Sequence, residues 1–292
     1  MSSLPLVEHA PAKINLSLHI VGRRADGFHD LESLVAFTAS GDGLSLDLNA
    51  PLSLVVDGPT AGNAGALHDN LVLRAARALS AHVPQLKTGC FHLTKRLPVA
   101  AGIGGGSSDA AAALRLLARA NEIRLDDPRL FEAAAEIGSD VPVCMAAQAR
   151  MMLGRGERLG PLLSLPRLFA VLVNPGVPLE TKSVFARIGL KAGQASGFGA
   201  HPVLDADMSF EALIAAMKKA RNDMEDAASV LAPVVGHCLA VLSAARGAKL
   251  ARMSGSGATC FALFDDCRAA KMAACVIRRD HPEWWVKSAL LR

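Results

Sequence analysis

Along residues 11–21 apolar and polar positions alternate strictly, which predicts a β-strand with Ile14, Leu16, Leu18 and Ile20 turned to a core. Lys13, Asn15, Ser17 and His19 share the opposite face, a candidate wall for a site. Asp26-Gly27 then separates two apolar runs and predicts a hairpin whose tip carries Arg23, Arg24, Phe28 and His29. Further strands are expected at 31–38, 44–48, 52–56, 90–95 and 168–173, on either side of Ser254-Gly-Ser-Gly257, and at 284–291. The 3.6-residue pattern predicts a helix after Asp69, with Leu71, Val72, Ala75, Ala76 and Leu79 on one face, and another from Asp127-Pro128 to Gly138. Helices are also expected from Thr181, at 210–219, at 227–245 with bends at Pro233 and Gly236, and after Asp266. Residues 154–161 read as a turn and domain junction, and 191–208 as a mobile excursion. Mixed strands and helices give an α/β (α+β) class with two domains, 1–157 and 158–292.

One stretch departs from these patterns. Gly102, Gly104, Gly105 and Gly106 crowd into five positions, follow a strand, and lead through Ser107 and Ser108 into the helix former Asp109-Ala-Ala-Ala-Ala-Leu. Glycines lack the Cβ that blocks a ligand and allow φ > 0, and a helix N-terminus aims unpaired N–H groups and the positive dipole end at one point. The expected occupant is a triphosphate. A Walker A loop is excluded because no Lys follows the glycines. A dinucleotide fingerprint lacks its third glycine, and Glu122 falls at the end of the following helix, before any second strand. A glycine-rich turn without a ligand is the bland alternative. Asp140, in Gly138-Ser-Asp-Val-Pro142, stands beside a helix end, where an acid is ordinarily a cap. The Ser254-Gly-Ser-Gly257 turn read alone is a tight hairpin.

Bulk properties narrow the classes. The chain has 292 residues, enough for two cores, and 51% hydrophobic content with no low-complexity run. No run of about 18 apolar residues occurs and no signal-peptide pattern opens the chain, so a cytoplasmic protein is expected. Six cysteines are scattered without C-x-x-C spacing and read as reduced core residues. No acidic cluster suggests a permanent metal site. A net charge of +4 without a Lys/Arg block suits small anionic substrates and argues against nucleic-acid or membrane partners.

Three stretches, Pro11-Ala-Lys-Ile-Asn15, Pro98-x-x-x-Gly-Ile-Gly-Gly-Gly-Ser-Ser-Asp109 and Ser254-Gly-Ser-Gly-Ala-Thr-Cys-Phe261, resemble in order and spacing the GHMP small-molecule kinases. These act on galactose, homoserine, mevalonate and phosphomevalonate. Within the family, Arg24-Ala-Asp-Gly-Phe-His-Asp-Leu31 and Gly138-Ser-Asp-Val-Pro142 resemble the branch that phosphorylates the tertiary 2-hydroxyl of 4-diphosphocytidyl-2-C-methyl-D-erythritol for isoprenoid synthesis. The resemblance implies a ribosomal-protein-S5-like N-terminal domain, a ferredoxin-like C-terminal domain, and ATP entering as its magnesium complex, with Ser108 the nearest metal contact. It implies a catalytic pair, Lys13 and Asp140, and a triphosphate loop of Pro98, Gly102, Gly104, Gly105, Gly106, Ser107 and Ser108. It assigns Asn15, Phe28, His29 and Lys95 to a substrate wall and Phe185 to stacking on cytidine. Phe28 stands where the branch usually has tyrosine, and the chain has no tyrosine at all. A homoserine- or mevalonate-type kinase, or a non-catalytic nucleotide sensor, is the alternative, and the protein is expected to be a monomer or homodimer.

Overall fold

The computed structural model describes residues 5–63 and 67–292. Strand β1 (Leu6–Asn15) starts upstream of the alternating stretch and stops at Asn15, and after a break the chain resumes as β2 (His19–Arg23). Lys13, Asn15, Ser17 and His19 are all buried, so their face is not an open wall. Buried polar groups persist where hydrogen bonds replace water: the Ser17 hydroxyl accepts from Leu34 N–H, and His19 Nε2 accepts from Arg221 N–H at 3.1 Å. Gly27, at φ +88°, turns β2 into β3 (His29–Asp47), with Arg23 opposite His29 as the Asp-Gly turn predicts. The expected break between strands at 38 and 44 is absent. Gly41 is there because a Cβ would collide with the Ala10 carbonyl, so the glycine serves close strand approach and not a turn.

After β4 (Ser53–Asp57), helix α1 (Leu71–His82) is capped by Asn70, which accepts from Val72 N–H, whereas Asp69 ends a preceding 3₁₀ turn. Asn70 has the extended backbone of a cap and Asp69 does not begin the helix. Strand β5 (Cys90–Thr94) leads to α2 (Gly105–Ala120), α3 (Pro128–Ile137, capped by Asp127) and α4 (Val141–Ala146). The chain continues through β6 (Arg150–Gly154), β7 (Arg158–Leu162), β8 (Leu168–Asn174), α5 (Thr181–Ile188) and α6 (Phe210–Lys219). The single helix expected at 227–245 is two, α7 (Glu225–Leu231) and α8 (Pro233–Ala244), because Pro233 has no N–H to continue the ladder and instead opens a new first turn. Strands β9 (Leu250–Met253) and β10 (Cys260–Phe264), helix α9 (Cys267–Asp280, capped by Asp266) and β11 (Trp285–Leu291) complete the mixed α/β fold. No helix among the described residues is long and apolar enough to cross a membrane.

Contacts divide the chain into two units that interleave along the sequence, whereas the sequence suggests one boundary at 157/158. The first comprises the described residues of 1–12, 40–99 and 104–147. In it β4 runs parallel to β5, which pairs antiparallel with residues 43–47 of β3, and α2 packs on α1 and α4. The second comprises 13–39, 100–103 and 148–292. Its antiparallel sheet runs β11-β8-β10-β9, with α8 and α9 packed on it over a core that includes Val171, Val173, Cys260, Phe264 and Trp284. The 191–208 segment forms no helix, as expected, yet it is tied down. Gly193 N–H donates to Arg23 O, Arg23 N–H to Gln194 O and Ser196 N–H to Val21 O, so the segment covers an edge of β2 that would otherwise be unpaired.

His19 makes this unit sensitive to acid. Burial first, then the charge of Arg221, lower its pKa to about 4. The folded state therefore binds its proton less readily than the unfolded chain, and the stability due to neutral His19 is whole above about pH 6.5 and declines as pH falls toward 4. That loss is on the order of 3 kcal/mol. Urea unfolding at pH 7 and pH 4.5 should show a smaller pH dependence for His19→Gln than for wild type, and equal dependence would remove His19 from the account.

Candidate active site

The first unit holds most of the glycine loop. Helix α2 begins earlier than the alanine run suggests, at Gly105, so Gly105 and Gly106 are helical, while Gly104 (φ +62°) just before them needs left-handed freedom. Gly104 is the N-cap and has no side chain to accept from the first-turn N–H groups, which makes the end of α2 a set of donors without a built-in acceptor. Ser108 N–H closes on Gly104 O, and the buried Ser108 hydroxyl donates to Pro11 O. That bond ties α2 to β1 and commits the hydroxyl proton of Ser108, leaving its oxygen lone pairs. Pro98 opens the loop next to Leu97, whose carbonyl accepts from the Thr60 hydroxyl at 2.8 Å.

Lys95 is the clearest departure from expectation. Instead of lining a substrate wall it is buried, and its ammonium donates to Asp42 and, at 2.8 Å, to Asp109. Asp42 also accepts from Leu97 N–H at 2.9 Å and from Arg96 N–H, while Asp109 sits on α2. The chain entering the glycine loop and the helix leaving it are thus joined through one ammonium. Burial pushes the Lys95 pKa down, but the two carboxylates outweigh it and the net direction is up. Burial, with Asp42 nearby, pushes the Asp109 carboxyl up against the pull of Lys95. No local sequence signal marks the three charges as buried, and nothing in their spacing joins 42 to 95 and 109.

Asp140 precedes α4 at the N-cap position, half-buried, and its carboxylate caps no N–H of that helix. The ordinary explanation for an acid at a helix end therefore does not apply. Among the described residues no group of three or more His, Cys, Asp or Glu could hold a metal ion.

In the second unit Lys13 is buried on β1, and its N–H donates to Ile103 O at 2.9 Å. Asn15 is fixed by two bonds, from its N–H to Ser254 Oγ at 3.1 Å and from Nδ2 to Ser33 Oγ at 2.8 Å, and its buried Oδ1 has no partner. The Ser254–Gly257 turn is more than a hairpin. Ser254 Oγ donates to Gly102 O at 3.0 Å, and a Cβ on Gly102 (φ +72°) would stand 2.5 Å from Gly257 O. Asn222 braces the turn from behind, donating to Met253 O and Gly255 O. Sequence reasoning missed Ser33 and Asn222, which carry no motif and act through long-range contacts.

Phe28 and His29 point to different neighbours, as adjacent residues on extended chain should. The His29 ring stacks on Phe185, centroids 4.2 Å apart and 13° from parallel, and its buried Nε2 has no partner. Burial, with a smaller contribution from Arg23, lowers the His29 pKa. Phe28 is 53% exposed, with the Arg155 guanidinium 4.7 Å over its ring.

A glycine-capped helix without its own acceptor suits a phosphate-bearing ligand, and the relatives place the chain among the small-molecule kinases. The chain matches the models for the GHMP kinases N terminal domain over residues 70–148 and the GHMP kinases C terminal domain over 206–282, and it belongs to the GHMP kinase family. Its relatives are specific within it. The 4-diphosphocytidyl-2-C-methyl-D-erythritol kinase of Methylobacterium radiotolerans is 57% identical, covering 98% of this chain and 99% of that protein, and that of Rhodopseudomonas palustris BisA53 is 54% identical, covering 98% and 97%. A crystal structure of 4-(cytidine 5'-diphospho)-2C-methyl-D-erythritol kinase superposes with a TM-score of 0.75 at 31% identity, covering 98% of this chain and 99% of that one. L. major mevalonate kinase in complex with R-mevalonate shares the fold alone, at TM-score 0.69 and 15% identity over 99% and 96% of the two chains.

Proposed function

We propose that this chain transfers the γ-phosphoryl group of ATP to the tertiary 2-hydroxyl of 4-diphosphocytidyl-2-C-methyl-D-erythritol in isoprenoid precursor synthesis. The observation that carries the reading is full-length identity above half with proteins of that name. Little covalent chemistry falls to the protein in phosphoryl transfer; positioning and charge neutralisation dominate. Asp140 is assigned the hydroxyl proton, a role consistent with a carboxylate that caps no helix N–H. Lys13 is assigned to hold Asp140 ionised and to counter charge on the moving phosphoryl group. The first-turn N–H groups of α2, behind Gly104, suit the triphosphate. Magnesium carried by the ATP phosphates would neutralise their charge; among the described residues no group of three or more His, Cys, Asp or Glu could hold it. Asn15 Oδ1, buried without a partner, suits a substrate hydroxyl, and the unpartnered His29 Nε2 beside Phe185 suits the polar edge of a stacked pyrimidine.

A coupled ADP-release assay across 4-diphosphocytidyl-2-C-methyl-D-erythritol, homoserine and mevalonate tests the reading. Turnover is expected with the cytidine substrate only. A higher kcat/KM on homoserine or mevalonate overturns the substrate, and turnover on none of the three favours a nucleotide sensor.

A further inference from the structure

Helix α4, which follows Asp140, is six residues long, and a helix that short has no stability of its own in water. It ends at Ala147, a non-glycine residue in the left-handed region at φ +48°, without the glycine that commonly closes a helix C-terminus. Its last carbonyls need another partner. They find it in Arg115 of α2: Nη1 donates to Cys144 O at 2.9 Å and to Met145 O at 3.4 Å. The other face of the same guanidinium reaches β1, with Nη2 donating to His9 O at 2.8 Å and Nε to Glu8 Oε2 at 3.0 Å. Arg115 is 9% exposed, so these bonds replace water and are not decoration on a surface. Only a planar fork with five donors meets three carbonyls and a carboxylate at once; an ammonium has three donors radiating from a single atom. Strand β1 runs on from His9 to Lys13, and α4 runs back to Asp140. One buried side chain therefore holds the segment after Asp140 against residues 8 and 9 of β1.

We infer that Arg115 is a positioning residue for phosphoryl transfer, acting by clamping α4, and through it Asp140, to β1. The inference rests on Asp140 as the base. Displacement of a reacting group by about 1 Å can lower a rate about a hundredfold while leaving binding surfaces intact. Loss of the clamp should thus appear in kcat and not in nucleotide affinity.

The test compares Arg115→Met, Arg115→Lys and Arg119→Gln with wild type and with Asp140→Asn, at a temperature where circular dichroism shows each protein folded. Arg119 is the control: it is on the same helix and bonds Glu8 and Val7 O, but it is exposed and touches no part of α4. Arg115→Met is expected to lower kcat at least tenfold with KM for ATP within twofold, Arg115→Lys to fall between it and wild type, and Arg119→Gln to match wild type. If Arg115→Met does not fold, Arg115→Lys decides, because it retains the charge and loses the fork. A kcat within twofold of wild type in the folded Arg115 variants overturns the inference, as does an equal rise in KM for ATP that accounts for the whole loss. Full turnover in Asp140→Asn overturns the base assignment on which the clamp depends, and so separates the two failures.

Discussion

Asp140→Asn should lower kcat by about 10² to 10⁴, the usual range for loss of a general base, while ATP still binds. Asparagine keeps the shape of aspartate and removes the proton acceptor. Because the Asp140 carboxylate caps no N–H of α4, the substitution forfeits no helix cap. Stopped-assay turnover, nucleotide titration and thermal melting on one preparation separate these effects. Near-normal turnover would sink the base assignment, and a collapse in melting temperature would mean that Asp140 is a structural residue.

The second large effect is expected at Lys95. Lys95→Met removes the one cation between Asp42 and Asp109, both buried, and leaves two carboxyl groups facing each other without their shared donor. Removing one member of a buried ion pair typically costs about 3 to 5 kcal/mol, far more than an exposed pair. Methionine fills nearly the same volume, so little of the loss is cavity. Denaturant unfolding should therefore show a drop of that order, and Lys95→Met combined with Asp109→Asn should recover part of it, because one buried charge has gone. A single-variant loss below about 1 kcal/mol would return Lys95 to the substrate wall.

How much could be read in advance follows the range of the forces involved. The Asp26-Gly27 hairpin, the Asp127 and Asp266 caps and the bounds of α6 are local devices, each set by residues within a few positions, and all were legible. The glycine loop was legible as a stretch but not in its division of labour, since a run of glycines does not say which of them is the left-handed cap, Gly104, and which are helical, Gly105 and Gly106. Gly41 misled because glycine marks both turns and close strand approaches. The polar face of residues 13–19 looked open because alternation reports which way side chains point and not what covers them. Lys95, Asp42 and Asp109 are 53 and 14 positions apart in their two bonds, and a pairing at such separation has no periodic signature.

Strands β1 and β3 each contribute residues to both contact-defined units, and the four residues 100–103 belong to the second while their neighbours on either side belong to the first. No single peptide bond can be cut to release a complete unit. A fragment such as 158–292 would lack β6, which pairs with β7, and residues 18 and 20, which lie in its core. The gene should therefore not split at 157/158 into separately expressible halves.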